Sequence, residues 1–95
     1  MYHKLMTKEL KKTIPTLYSS ESKTAFIKFF SCFTGWTWYA TEFDGKDIFY
    51  GYVKGTYDEW GYFSLKEFED INKSKGFEFV ERDLYFKPTP IQDLI

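Results

Sequence analysis

The chain has 95 residues, carries 14 Asp and Glu against 13 Lys and Arg, and is 43% apolar and 23% aromatic. That length bounds it to one domain over residues 1–95 with a single modest core, and the apolar share excludes intrinsic disorder. A net charge of −1 with one arginine, Arg82, argues against a duplex-binding protein, and no apolar run approaches the length of a membrane span.

In chain order, Thr7 is placed to cap a helix over residues 8–13, which Pro15 ends because proline disfavours a helical residue before it. Residues 16–23 form a polar loop. Residues 24–32 read as a strand with Ala25, Ile27 and Phe29 on one face and Phe26, Lys28 and Phe30 on the other. A second strand covers residues 37–43, and Asp44-Gly45 marks a hairpin into a third over residues 48–54. Gly51, in the middle of that strand, signals a bulge or the close approach of another group. A fourth strand spans residues 60–63.

Ser64 and Glu67 have the spacing of a capping box for a helix over residues 65–72, with Leu65, Phe68 and Ile71 along one side and Gly76 as its stop. Residues 77–80 and 83–86 read as one interrupted strand or two short ones. Thr89 and Pro90 suit the start of a last helix over residues 90–94. The expected fold class is therefore α+β: a four- to five-stranded antiparallel meander, one packed helix, and short N- and C-terminal helices. The expected core is Phe29, Phe43, Phe49, Val53, Phe63, Phe68 and Leu84.

Four ring pairs, Trp38-Tyr39, Phe49-Tyr50, Tyr62-Phe63 and Tyr85-Phe86, sit inside these strand segments. Adjacent strand residues point to opposite faces, so both faces of the sheet carry rings. A half-solvated sheet would be polar on one of them. Charge is also uneven. Residues 1–40 hold six Lys against Glu9 and Glu21, whereas residues 41–70 hold eight acids against three Lys. The single cysteine, Cys32, excludes an internal disulfide and, with no apolar leader, points to a reducing cytoplasm.

The stretch Trp36-Thr37-Trp38-Tyr39-Ala40-Thr41-Glu42-Phe43-Asp44-Gly45 carries a resemblance. So do residues 5–8 before it, and Gly61-Tyr62-Phe63-Ser64-Leu65, Glu81-Arg82-Asp83-Leu84-Tyr85-Phe86 and Pro88-Thr89-Pro90 after it. Together these ordered blocks resemble the small bacterial family catalogued as domain of unknown function 2958. The resemblance implies a single-domain protein of a plasmid or other mobile element, in the contest between mobile DNA and its host. It supplies no catalytic residues to transfer.

The residues themselves offer no competent catalytic set, cofactor site or metal site. His3, the one histidine, sits at a terminus, and Cys32 reads as a small buried hydrophobe without a placed base. Carboxylates give the best enzymatic case, because Glu42, Asp44 and Asp47 flank a hairpin while Glu81 and Asp83 bracket Arg82. Arg82 itself reads as a structural ion pair, or as a ligand contact. A protein-binding face built from Trp36, Trp38, Tyr50, Tyr52 and Trp60, with Glu42, Asp44, Asp58 and Glu59 around it, is the leading expectation. Such a protein would dock onto a partner with a basic surface as an inhibitor of host defence. The alternative is a single-stranded nucleic-acid binder or weak Mg²⁺-dependent nuclease. The aromatic face is also expected to pair two copies as a homodimer.

Overall fold

The structure is a computed structural model that describes residues 4–19 and 23–95; His3 and residues 20–22 lie outside the described residues. In chain order the elements are α1 (Lys8–Thr13), β1 (Thr24–Ala25), β2 (Ile27–Phe30), β3 (Thr37–Phe43), β4 (Ile48–Lys54), β5 (Asp58–Ser64), α2 (Leu65–Lys75), β6 (Glu81–Arg82), β7 (Thr89–Pro90) and a 3₁₀ turn (Ile91–Asp93). The fold is α+β. Strands β2 to β5 form an antiparallel meander that β6 extends beside β2, and β1 pairs with β7 in a separate two-stranded ribbon.

Local chemistry explains the boundaries. The Thr7 side chain accepts the Leu10 N–H and caps α1. Ser64 Oγ accepts the Glu67 N–H at 3.1 Å, and Gly76 closes α2 in the left-handed region at φ 77°. Asp47 completes the α2 cap from the preceding hairpin: its carboxylate accepts from Ser64 Oγ and from the Lys66 N–H. Asp44 Oδ1 accepts three backbone N–H groups, from Lys46, Asp47 and Ile48, which fixes the β3–β4 turn.

Thr41 is the extra residue in β3. The register passes from Ala40 opposite Gly51 directly to Glu42 opposite Tyr50, so Thr41 bulges and ties itself down by donating to the Tyr50 carbonyl at 3.0 Å. A Cβ on Gly51 would land on the Tyr39 carbonyl, so glycine is demanded there. Beyond the bulge the faces exchange. Phe43 enters the core with Phe49 and Phe63, while Glu42 joins Tyr50 and Tyr62 on the opposite side.

The core lies between the sheet and α2. Phe68 is its hub, with ring centroids 4.8 Å from Trp38, 5.3 Å from Phe29 and 5.9 Å from Phe63. Leu5, Met6 and Ile14 close it from the N-terminal side. Asn72, buried on α2, clamps the following segment by donating to the Val80 carbonyl and accepting the Val80 N–H.

Several expectations are corrected. Residues 24–32 are not one strand. The chain breaks at Phe26, whose N–H bonds the Ala40 carbonyl, and Ala25 packs with Tyr39 and Ile91 rather than with Ile27. Residues 77–80 and 83–86 are not strands; the paired residues are Glu81 and Arg82 between them. Leu84 is 44% exposed, not core, and Val53 and Phe63 are only half-buried, Phe63 packing against the buried cluster from outside. The C-terminal helix is reduced to the 3₁₀ turn, because Thr89 and Pro90 pair with β1.

Phe68→Ala is expected to cost about 3–5 kcal/mol through lost burial and the cavity left among Trp38, Phe29 and Phe63, read as a shift in urea unfolding. Gly51→Ala should cost about 1–3 kcal/mol by driving a methyl group into strand β3, whereas Gly61→Ala, where a Cβ meets nothing within 4 Å, should be tolerated.

Candidate functional site

The second face of the sheet is half roofed. Phe86, Ile91 and Leu94 of the C-terminal segment cover Tyr39 and lean on Tyr52 and Trp60. What stays open is a ladder of rings on β4 and β5. Tyr52 meets Trp60 edge-on at 5.4 Å, Trp60 stacks with Tyr50 at 5.8 Å, and Tyr50 meets Tyr62 at 5.0 Å. Register explains the sequence of contacts, because Tyr52 opposes Trp60 and Tyr50 opposes Tyr62, all on one side of the pleat.

Tyr18 extends the ladder from a loop. It holds a left-handed conformation at φ 63°, which a non-glycine residue adopts at a cost. Two contacts hold it there: its N–H donates to Glu42 Oε1 at 3.1 Å, and its hydroxyl shares a 2.9 Å hydrogen bond with the Tyr62 hydroxyl. Tyr18 is 81% exposed and Tyr62 55%. The shared hydrogen bond, with lesser help from desolvation and the nearby Glu42 charge, raises the Tyr62 pKa above the ordinary phenol value. Tyr39, under the C-terminal roof, is raised by burial first and by the Asp83 charge second. Lys23 places its ammonium 5.3 Å from the Trp60 ring centre, a cation–π contact at the other end of the ladder.

The residues expected to form one binding face are divided between two. Tyr50, Tyr52 and Trp60 share the second face with Glu42, which is buried, and with exposed Asp58. Trp38 lies on the core side against Phe68, and Trp36 follows it with its ring 6.0 Å away and against Gly55. Glu59 is exposed on that same core-side row, opposite Val53. Asp44 belongs to its turn. Desolvation works to raise its pKa, but the three N–H donors and Lys46 outweigh it and hold the carboxyl below its ordinary value.

Arg82 donates its Nε–H to the Lys4 carbonyl at 3.0 Å, so a backbone oxygen takes the place expected for a carboxylate. Burial lowers its pKa. Asp83 instead pairs with Lys28 at 3.9 Å. Cys32 is exposed rather than buried, with Sγ 3.9 Å from Glu81. Among the described residues, no group of three or more His, Cys, Asp or Glu is arranged to hold a metal ion. No helix of the described residues is long and apolar enough to cross a membrane.

Two features escaped the sequence reading. Phe33, Phe77 and Phe79 form a second ring cluster, with Phe33 stacked on Phe79 at 5.4 Å and Lys75 beside it. A cavity of about 780 Å³ opens at the start of α2, between Lys4, Leu5, Lys46, Leu65 and Lys73, with no ladder ring in its lining. Its lining alternates lysines with Asp47, Glu69 and Asp70, and Lys66 is already paired with Asp70. We therefore take the ladder as the site.

A family model of protein of unknown function matches residues 4–92, nearly the whole chain. The chain belongs to the DUF2958 family. No curated protein and no solved structure matches this DUF2958 member.

The lowered Asp44 value has a pH consequence. A carboxylate held below its ordinary pKa of about 3.9 adds stability above that value and loses it as pH falls through the lower folded value. The stability gap between the natural chain and Asp44→Ala should be full at neutral pH and shrink below about pH 4, measured by urea unfolding.

Proposed function

We propose that this DUF2958 member is a non-enzymatic binding protein of a mobile genetic element that docks onto a protein of a host defence system. The observation that carries the docking is the ring ladder from Tyr52 through Trp60, Tyr50 and Tyr62 to Tyr18, left open on a face whose other half is roofed. Tyr and Trp supply large rigid contact area with polar tips, the composition of interface anchors. The left-handed Tyr18 supports the same reading, because backbone strain is concentrated where function demands a fixed side chain. Asp58, exposed beside the ladder, favours a basic surface on the partner by steering its approach. The mobile-element setting rests on the family resemblance.

A second reading has one observation in its favour. Lys23 over Trp60, with Lys28 and Lys54 on the same face, sets cations beside stacking rings, the combination used to hold single-stranded nucleic acid. Lys28 and Lys54 already have partners, in Asp83 and the Leu94 carbonyl, so the docking reading stands first. The Mg²⁺-dependent nuclease form of this alternative would need Glu42 or Asp83.

Tagged chain purified from host cells at low salt is expected to retain a protein partner that Tyr50→Ala/Tyr62→Ala loses at least tenfold, with unfolding still cooperative. Equal recovery by both chains would move the site off the ladder. Fluorescence anisotropy with short labelled oligonucleotides separates the alternatives: tight binding that weakens steeply with salt, and is lost on Lys23→Ala/Trp60→Ala, would put nucleic acid first.

A further inference from the structure

Strand β5 is an open sheet edge: it is the outermost strand and pairs only with β4 among the described residues. Which of its backbone groups are unpaired follows from two hydrogen bonds that bracket the β4–β5 register. The Leu65 N–H donates to the Asp47 carbonyl at 2.9 Å, and the Gly55 N–H donates to the Tyr57 carbonyl at 3.4 Å. Antiparallel ladders alternate bonded and non-bonded pairs. The bonded pairs between these ends are therefore Phe49–Phe63, Gly51–Gly61 and Val53–Glu59. The N–H groups of Asp58, Trp60, Tyr62 and Ser64 point away from β4, as do the carbonyls of Asp58, Trp60 and Tyr62.

Natural edges are blunted by proline, lysine, bulges or very short strands. The opposite edge, β6, is two residues long, but β5 runs seven residues, Asp58 to Ser64, in unbroken register without lysine or proline. Among the described residues, nothing requires glycine at Gly61, at its centre. Its φ is not in the left-handed region and a Cβ there meets nothing within 4 Å, unlike Gly51 beside it. A glycine inside a strand weakens it and commonly marks the approach of another backbone.

We propose that β5 pairs with β5 of a second copy of this chain, antiparallel about a two-fold axis through Gly61. The strand is complementary to itself in that register and polarity. Trp60 of each copy opposes Tyr62 of the other as a bonded pair, which satisfies the outward groups of both and joins the two ring ladders into one. Glu59 opposes Phe63 and Asp58 opposes Ser64, so no acid faces an acid. Because Ser64 is the N-cap of α2, each Asp58 lies beside the positive end of the other copy's helix. Gly61 opposes itself as a non-bonded pair, the closest approach in the ladder at a Cα separation of about 4.5 Å. The partner named here is this chain itself, so the inference is tested on pure protein and stands or falls independently of the docking reading.

Light scattering of the purified chain across a micromolar dilution series should give twice 11.4 kDa. Gly61→Lys places its side chain in open space in the single chain but opposes two like charges in the pair; it should scatter as a monomer that still unfolds cooperatively, with a midpoint that no longer depends on concentration. In a Cys32→Ser background, Gly61→Cys should cross-link to a dimer on mild oxidation, since the separation suits a disulfide, whereas Glu59→Cys, which does not face itself, should not. A monomer at every concentration, a Gly61→Lys chain that remains dimeric, or equal cross-linking at both cysteines would each overturn the proposal.

Discussion

The single extra residue at Thr41 is the constraint on which the sheet's division of labour depends. Strict alternation from Trp38 would send Glu42 into the core and Phe43 into solvent. The bulge reverses both, so that Phe43 stacks on Phe49 at 4.4 Å while the Glu42 carboxylate receives the Tyr18 N–H. The bulge in turn needs Gly51, because the Tyr39 carbonyl occupies the space where a side chain would begin. One backbone irregularity thus decides both the packing on one face and the arrangement of rings on the other.

The rings serve two different purposes. On the α2 side, Phe29, Phe49, Trp38 and Phe68 interlock and are structural. On the second side, Tyr50, Trp60 and Tyr62 are held by one another, by the Tyr18 loop and by the C-terminal segment, and keep their edges in solvent. Tyrosine suits that half-wet position because its hydroxyl remains hydrogen-bonded while its ring packs.

The elements with local chemical signatures were legible in the sequence. Ser64 and Gly76 bound α2 as their residue types dictate, Asp44 builds the turn, and Gly51 marks the close approach. The capping carboxylate of α2 was misread, since Asp47 contributes it from across a hairpin and no spacing rule reaches that far. Residues 77–86 were misplaced because side-chain bonds rather than strand pairing fix most of that segment: the Asn72 amide holds Val80 from eight residues away, and Arg82 bonds Lys4 from the far end of the chain. The split of Trp36 and Trp38 from Trp60 follows from strand register, whereas Tyr18 entered the site from a polar loop with no periodic signal.

The Arg82–Lys4 hydrogen bond joins residues 78 apart, and β1 pairs with β7 across a comparable span. By contrast, β3, β4 and β5 are linked by two short hairpins. Closing a long loop costs more entropy than closing a short one, so local hairpins form ahead of distant pairings. The meander is then the first part of the chain to take shape, and the two chain ends dock last. Until the C-terminal segment arrives, Tyr39 stands uncovered beside the open ring ladder, and the time spent in that half-built state sets how exposed the newly made chain is to sticking to its neighbours.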